Sequence, residues 1–124
     1  MSIEKKWKVN FDDDFKAEFD DFAEEVRLAI LQMARVLQRM GPELGRPRVD
    51  TLNGSKHANM KELRCDADDG VWRVAFAFDP ERKAVLLTAG DKSGVAKKRF
   101  YKKLIKNADT RFDAHLERLK GKDK

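Results

Sequence analysis

The order of apolar and polar residues divides the chain into a short strand, a long helical segment, a block of strands and a final helix. Trp7, Val9 and Phe11 alternate with polar residues, which predicts a first β-strand. The acidic residues 12–14 then supply a capping side chain and first-turn charges that favour a helix start. The apolar residues that follow recur at steps of four and three, the spacing of one helical face. They are Phe15, Phe19, Phe22, Val26, Ala29, Met33, Val36 and Met40.

Two arrangements fit this helical segment, because no glycine or proline interrupts it before Gly41. It forms either one long helix or two helices joined by a bend near residues 23–26. Its apolar seam also fits a heptad repeat, so a coiled-coil dimer is an alternative to packing on a sheet.

The second half of the chain predicts an antiparallel meander followed by a long helix. Residues 41–55 are rich in Gly, Pro and Asn and are predicted to form a loop. Three strands are expected, at about residues 58–65, 71–78 and 84–90. Their connections are too short for crossovers, and a last helix is expected to start at Ser93 or Gly94. The order indicates an α+β fold, whose small antiparallel sheet combines the first strand with the meander.

The composition agrees with a single domain over residues 1–124. The chain is 41% hydrophobic, too much for a disordered chain, although 40% of its residues are charged. A net charge of +5 favours an acidic partner, most commonly a nucleic acid, with a membrane surface or an acidic protein segment as alternatives. One cysteine and the absence of a long apolar run predict a cytoplasmic protein that does not enter a membrane.

Several kinds of catalytic site are excluded by the residues present. There is no Gly-x-Ser-x-Gly motif, and Cys65 has only His57 and His115 as possible partners, neither at a suggestive spacing. Two histidines and one cysteine do not make a zinc spacing, so we expect neither a metal nor a cofactor. The segment from Gly90 to Gly94 is too short to be a phosphate-binding P-loop.

The remaining candidate site is a set of cations on the predicted sheet. Period two places Glu62 and Arg64 on one face of their strand. Arg73 lies in an otherwise apolar strand, where it is costly unless an anion or a satisfied partner meets it. A purely structural interpretation pairs Glu62 with Arg64 or Arg73 across the sheet. Lys92 follows the last strand, and Tyr101 lies one turn into the last helix.

Such a set is sufficient for metal-free RNA cleavage, in which the 2′-hydroxyl of the RNA attacks the adjacent phosphorus. Arginine forks bind phosphate oxygens, and lysine adds a point charge. The enzyme must offset charge on the phosphorane, remove one proton and return another. Lys92 or Glu62 is the candidate for the first proton transfer, and Tyr101 for the second. Further RNA contacts are assigned to Lys56, His57, Lys61, Lys97, Lys98 and Arg99.

Motifs in the second half of the chain resemble, in order, those of the HigB-like toxins of the RelE/ParE superfamily. The matching residues are Asn59-Met60-Lys61-Glu62-Leu63-Arg64, Arg73, Ala75-Phe76-Ala77-Phe78-Asp79-Pro80, Leu86-Leu87-Thr88-Ala89-Gly90-Asp91-Lys92-Ser93-Gly94, Arg99-Phe100-Tyr101, and Ala108-Asp109 with Phe112-Asp113 and His115-Leu116. The first half resembles that family only in its pattern of elements.

This resemblance implies the toxin of a type II toxin–antitoxin pair, which cleaves mRNA, usually on the translating ribosome. The implied partner is a helix-turn-helix antitoxin that binds the toxin in a hetero-oligomer. By the same resemblance Arg64 and Arg73 hold the scissile phosphate and Lys92 sits in the site, with Glu62 and Tyr101 as further candidates. The alternatives are a ParE-like gyrase poison without catalytic residues and a non-toxic nucleic-acid-binding module.

Overall fold

A computed structural model of the protein describes residues 6–67 and 69–122. Eight helices and strands follow one another along the described chain. They are β1 (Lys8–Phe11), α1 (Asp13–Asp20), α2 (Glu24–Met40), β2 (Val49–Thr51), β3 (Lys61–Ala67), β4 (Gly70–Phe78), β5 (Lys83–Asp91) and α3 (Lys97–Lys122), with a 3-10 turn at Gly41–Glu43. The predicted first strand, the meander and the long last helix are therefore confirmed.

The strands form one five-stranded sheet in the order β1-β5-β4-β3-β2. The α+β class is confirmed, but the sheet is mixed, because β1 pairs with β5 in parallel and only the other pairs are antiparallel. Parallel strands need a long connection, and the segment between β1 and β5 supplies one because it contains α1 and α2. Strand β2 corrects the prediction of a loop over residues 41–55. It has three residues, too few to give an alternating sequence signal.

The N-terminal helical segment is two helices, which settles the alternative left open by its pattern. Asp12 caps α1 by accepting a hydrogen bond from the Phe15 backbone N–H at 3.1 Å. The chain leaves helical geometry after Asp20, and Phe22 packs against Trp72 with ring centroids 4.9 Å apart. The face that α2 buries against the sheet is formed by Val26, Ile30, Ala34 and Leu37, which differs from the predicted seam in all but Val26; Met40 of that seam is exposed.

Two layers of helices enclose the sheet. On one face α1 and α2 bury a cluster that includes Phe15, Ile30, Leu63, Val74 and Phe76. On the other face α3 packs on Met60, Ala75, Ala77, Val85 and Leu87 through Phe100, Leu104, Ala108 and Phe112. Within residues 6–67 and 69–122, no helix has the length and apolar character needed to cross a membrane.

A β-bulge in β5 changes which face its last residues occupy. Ala75 pairs with Thr88 while Phe76 pairs with Leu86, so Leu87 is an extra residue in the ladder. Val85 and Leu87 both contact the α3 layer, whereas Ala89 packs with the α1–α2 layer. The alternation is thus reversed after the bulge, and Lys92 emerges on the α3 face beside Tyr101.

The turn between β5 and α3 is longer than the sequence predicts, since α3 begins at Lys97 and not at Ser93 or Gly94. Gly94 has a φ of +72°, a conformation that residues other than glycine rarely adopt. Asp91 accepts hydrogen bonds from the backbone N–H groups of Val71 and Ser93, both at 2.9 Å. These contacts hold the turn against the start of β4.

Candidate functional site

Three neighbouring strands bring the predicted arginines and lysine to one face of the sheet. Arg64 on β3 lies directly opposite Arg73 on β4. Arg73 in turn lies opposite Gly90 on β5, where a Cβ would come within 3.0 Å of the Phe100 ring. Two like charges in adjacent positions are unfavourable without an anion between them.

Glu62 supplies that anion from beneath the two arginines. Its carboxylate lies 3.4 Å from Arg64 Nη2 and 3.7 Å from Arg73 Nε, so the predicted pairing is present with both. The Tyr101 hydroxyl donates to Glu62 Oε1 at 2.7 Å. The Glu62 side chain is only 6% exposed, which makes it the buried centre of a polar cluster formed by Glu62, Arg64, Arg73, Lys92 and Tyr101.

The two arginines differ in their access to solvent. The Arg64 side chain is 34% exposed and lines an open groove. Arg73 is buried and donates from Nη1 to the Trp72 carbonyl at 2.9 Å, with Asp66 at 3.5 Å. Both Nε atoms are buried without a hydrogen-bond partner among the described residues. Arg64 can therefore meet a ligand directly, while Arg73 adds positive charge from below.

Lys92 and Tyr101 both have shifted proton affinities. Burial, followed by repulsion from Arg73, lowers the pKa of Lys92 below its ordinary value. Its ammonium nitrogen lies 5.8 Å from the centre of the Tyr101 ring. Burial and the hydrogen bond to Glu62 raise the pKa of Tyr101, which keeps the phenol protonated. The cluster thus contains an amine that releases its proton more readily than usual and a phenol that retains it.

The polar cluster opens into a groove of about 940 Å³, which we call the α3 groove. One wall is α3, and the other is β2 with the loop that follows it. Its charged residues are the cations Arg64, Lys92, Lys97, Lys98, Lys102 and Lys106 and the acids Asp50 and Glu62. Asp50 lies 3.3 Å from Arg64 Nη2 and 3.2 Å from Arg46 Nε. The groove is strongly cationic away from these two acids.

The residues predicted to contact RNA are divided by the fold. Lys97 and Lys98 line the α3 groove. Arg99 lies on another side of α3, where it lines a smaller cavity with Gly90 and Lys103. Lys61 alternates with Glu62 and Arg64 and so faces the α1–α2 layer. For these four residues RNA contact stays a prediction.

Lys56 and His57 both contact α3. Lys56 forms an ion pair with Asp113, and His57 Nε2 lies 2.8 Å from the same carboxylate. The His57 ring also packs edge-on against Phe112. These contacts fasten the loop before β3 to the helix, outside the lining of the α3 groove.

Sequence reasoning missed three charged residues of the α3 groove. Lys102 and Lys106 repeat the face of Lys98 at steps of four, a signal that helical periodicity offers. Asp50 lies in the segment predicted as a loop, where no sequence pattern indicates a groove residue.

Among the described residues, no group of three or more His, Cys, Asp or Glu side chains could hold a metal ion. Burial raises the pKa of Cys65 to about 12, so its thiol is unreactive.

The fold is that of the RelE toxins. The chain superposes on a mutant of Escherichia coli toxin RelE in the free state with a TM-score of 0.56 at 14% identity, covering 86% of this chain and 97% of that one. It also superposes on the archaeal RelE–RelB complex from Pyrococcus horikoshii with a TM-score of 0.52 at 14% identity, covering 73% and 99%.

Sequence relatives give the family. Residues 17–113 match the family described as phage-derived protein Gp49-like. The putative toxin HigB2 of Mycobacterium tuberculosis is 49% identical over 82 residues, which are 65% of this chain and 40% of HigB2. The putative toxin HigB3 of the same organism is 51% identical over 81 residues, 65% of this chain and 68% of HigB3. The chain spans less than half the length of HigB2. It belongs to the Gp49-like family and is similar to the HigB toxins.

Proposed function

We propose that this protein is the toxin of a type II toxin–antitoxin pair and stops translation by cleaving mRNA on the ribosome. The observation that carries the proposal is the convergence of Arg64, Arg73 and Lys92 beside Glu62 and Tyr101 at an open cationic groove. Its Mycobacterium tuberculosis relatives are named as putative toxins, which supports the same class of function.

In the proposed reaction Arg64 binds the scissile phosphate through its guanidinium fork. Lys92, with its lowered pKa, takes the proton from the 2′-hydroxyl as that oxygen attacks phosphorus. The charge that develops on the phosphorane is offset by Arg64, with Arg73 beneath it. Tyr101 donates its proton to the leaving 5′-oxygen, which completes the cleavage without a metal ion.

Glu62 acts in this proposal as the residue that orients the cluster and not as the base. Its carboxylate accepts from Tyr101 and contacts both arginines, so it has little capacity left for a 2′-hydroxyl. Because it is buried, it fixes the phenol and the Arg64 guanidinium in place before RNA arrives.

The proposed partner is a helix-turn-helix antitoxin, which binds the toxin and prevents its action in the cytoplasm. The RelE relative from Pyrococcus horikoshii is in complex with RelB, which supports a protein partner of this kind. An acidic antitoxin segment would complement the cations of the α3 groove.

Expression of the chain alone in a bacterial host tests the function. We expect growth arrest within a few generations, accompanied by new mRNA 5′ ends mapped within translated regions. Co-expression of the gene that adjoins its own should remove both effects. Growth arrest with intact mRNA and induction of the DNA-damage response would instead indicate a ParE-like gyrase poison. Normal growth would indicate a non-toxic nucleic-acid-binding module.

The pH dependence of cleavage tests the role of Lys92. Because its pKa is lowered, the neutral amine becomes available at a lower pH than the ordinary lysine value of 10.5 would allow. We expect the single-turnover rate on ribosomes to rise with pH from mildly acidic to mildly alkaline conditions. Lys92→Arg keeps the charge but cannot give up its proton in this range, so the rise should disappear. An unchanged profile in Lys92→Arg would exclude Lys92 as the base.

A further inference from the structure

The α3 groove continues well beyond the polar cluster. Along α3 its lining includes Lys98, Lys102 and Lys106, which follow one another at four-residue intervals on one face. Each interval corresponds to a rise of about 6 Å along the helix axis. This rise is comparable with the separation of successive phosphates in an extended single strand of RNA.

The far end of the groove is closed. The Ser55 hydroxyl donates to Asp109, and the Lys56 backbone N–H donates to the other oxygen of that carboxylate at 3.2 Å. Gly54 lies beside Ile105 at the same end: a Cβ at Gly54 would be in van der Waals contact with the Ile105 side chain, at 3.7 Å. Lys102 and Lys106 therefore lie between Tyr101 of the polar cluster and this end of the groove, whereas Lys98 lies about one turn before Tyr101.

The acids lie at the polar cluster and not at the Lys106 end of the groove. Asp50 and Glu62 both contact Arg64 Nη2. Hydrogen bonds from the Thr51 backbone N–H and from Arg46 lower the pKa of Asp50, so it is ionised at neutral pH. The negative charge is thus concentrated at the cluster, and the positive charge extends along α3.

We propose that the α3 groove holds the RNA strand on one side of the scissile phosphate, with Lys102 and Lys106 each contacting one flanking phosphate. This inference rests on the proposed function and adds a footprint to it. The closed end limits that footprint to about two phosphates.

Lys103 gives a matched control for this inference. It is a neighbouring exposed lysine of α3, but it lines the smaller cavity beside Gly90 and Asn107 instead of the α3 groove. Lys102→Ala/Lys106→Ala removes two groove cations, whereas Lys103→Ala tests the effect of losing lysine charge from the same helix.

Binding of 2′-O-methyl RNA, which cannot be cleaved, gives the decisive measurement by fluorescence anisotropy at several salt concentrations. Each lost phosphate contact lowers the slope of log affinity against log salt by about 0.7 for a single strand. We expect the Lys102→Ala/Lys106→Ala variant to lose about 1.4 from this slope. The slope of Lys103→Ala should equal that of the parent, and circular dichroism should show all three proteins folded.

A series of RNA lengths tests the footprint. Parent affinity should rise as nucleotides are added on one side of the strand and level off after about two, and this rise should be absent from the Lys102→Ala/Lys106→Ala variant. A double variant that binds as Lys103→Ala does, with a parent that binds RNA, would overturn the inference and leave the proposed function standing. A parent that binds no RNA even at low salt, and causes no mRNA cleavage on expression, would overturn both.

Discussion

Arg64→Ala is expected to slow mRNA cleavage about 100- to 1,000-fold while the protein stays folded. Removing one donor that stabilises a developing oxyanion typically has an effect of this size. Arg64 is the arginine of the polar cluster that reaches the α3 groove, and its side chain is 34% exposed. Glu62 keeps its hydrogen bond from Tyr101 and its contact with Arg73 when Arg64 is removed, so the buried carboxylate is not left without a partner.

The rate should be measured as single-turnover cleavage of mRNA on purified ribosomes. Arg64→Lys retains the charge but loses the fork, so it should fall between the parent and Arg64→Ala. Arg39→Ala removes one arginine from the exposed end of α2, on the opposite face of the sheet, and should cleave at the parental rate. If Arg64→Ala cleaves as fast as Arg39→Ala, the assigned phosphate site is wrong.

Asp79→Ala is expected to lower the free energy of unfolding by about 2–4 kcal/mol. The Asp79 side chain is fully buried, with 0% exposure. One carboxylate oxygen accepts from the backbone N–H groups of Glu81 and Lys83, both at 2.9 Å, and the other lies 2.8 Å from His115 Nε2. Alanine would leave these groups without their acceptor and would release the β4–β5 turn from α3.

Urea unfolding followed by tryptophan fluorescence measures this effect. Asp20→Ala is the control, because among the described residues Asp20 forms one ion pair, an exposed one with Lys16, and such pairs contribute little. Asp79→Asn keeps the shape and one acceptor oxygen, so its stability should be intermediate. Equal unfolding midpoints for Asp79→Ala and Asp20→Ala would show that the turn does not depend on the buried carboxylate.

The residues of the polar cluster differ in how far the sequence could place them. Glu62 and Arg64 share a face because strand side chains alternate, and this could be predicted without knowing the partner strands. Lys92 reaches the same face only because Leu87 is unpaired, and a bulge depends on strand pairing that the sequence pattern does not reveal. Asp50 was missed because β2 is too short to produce a pattern.

The charged residues outside the polar cluster also differ in how far the sequence could place them. Lys98, Lys102 and Lys106 share a helical face that follows directly from their spacing. The contacts of Lys56 and His57 with α3 could not be predicted, because their partner Asp113 is more than 50 residues away in the sequence. A sequence shows which residues carry charge, but the neutralising partner is often brought in by tertiary packing.

The extra residue in β5 has a consequence for how such proteins can vary. Since side chains alternate, losing one residue between Val85 and Lys92 would turn the ammonium group toward the α1–α2 layer. Gaining one would have the same effect, whereas changes of two residues preserve the direction of the side chain. Length changes that keep Lys92 in the polar cluster should therefore come in even numbers among related proteins, so selection would act on whether this strand is odd or even in length.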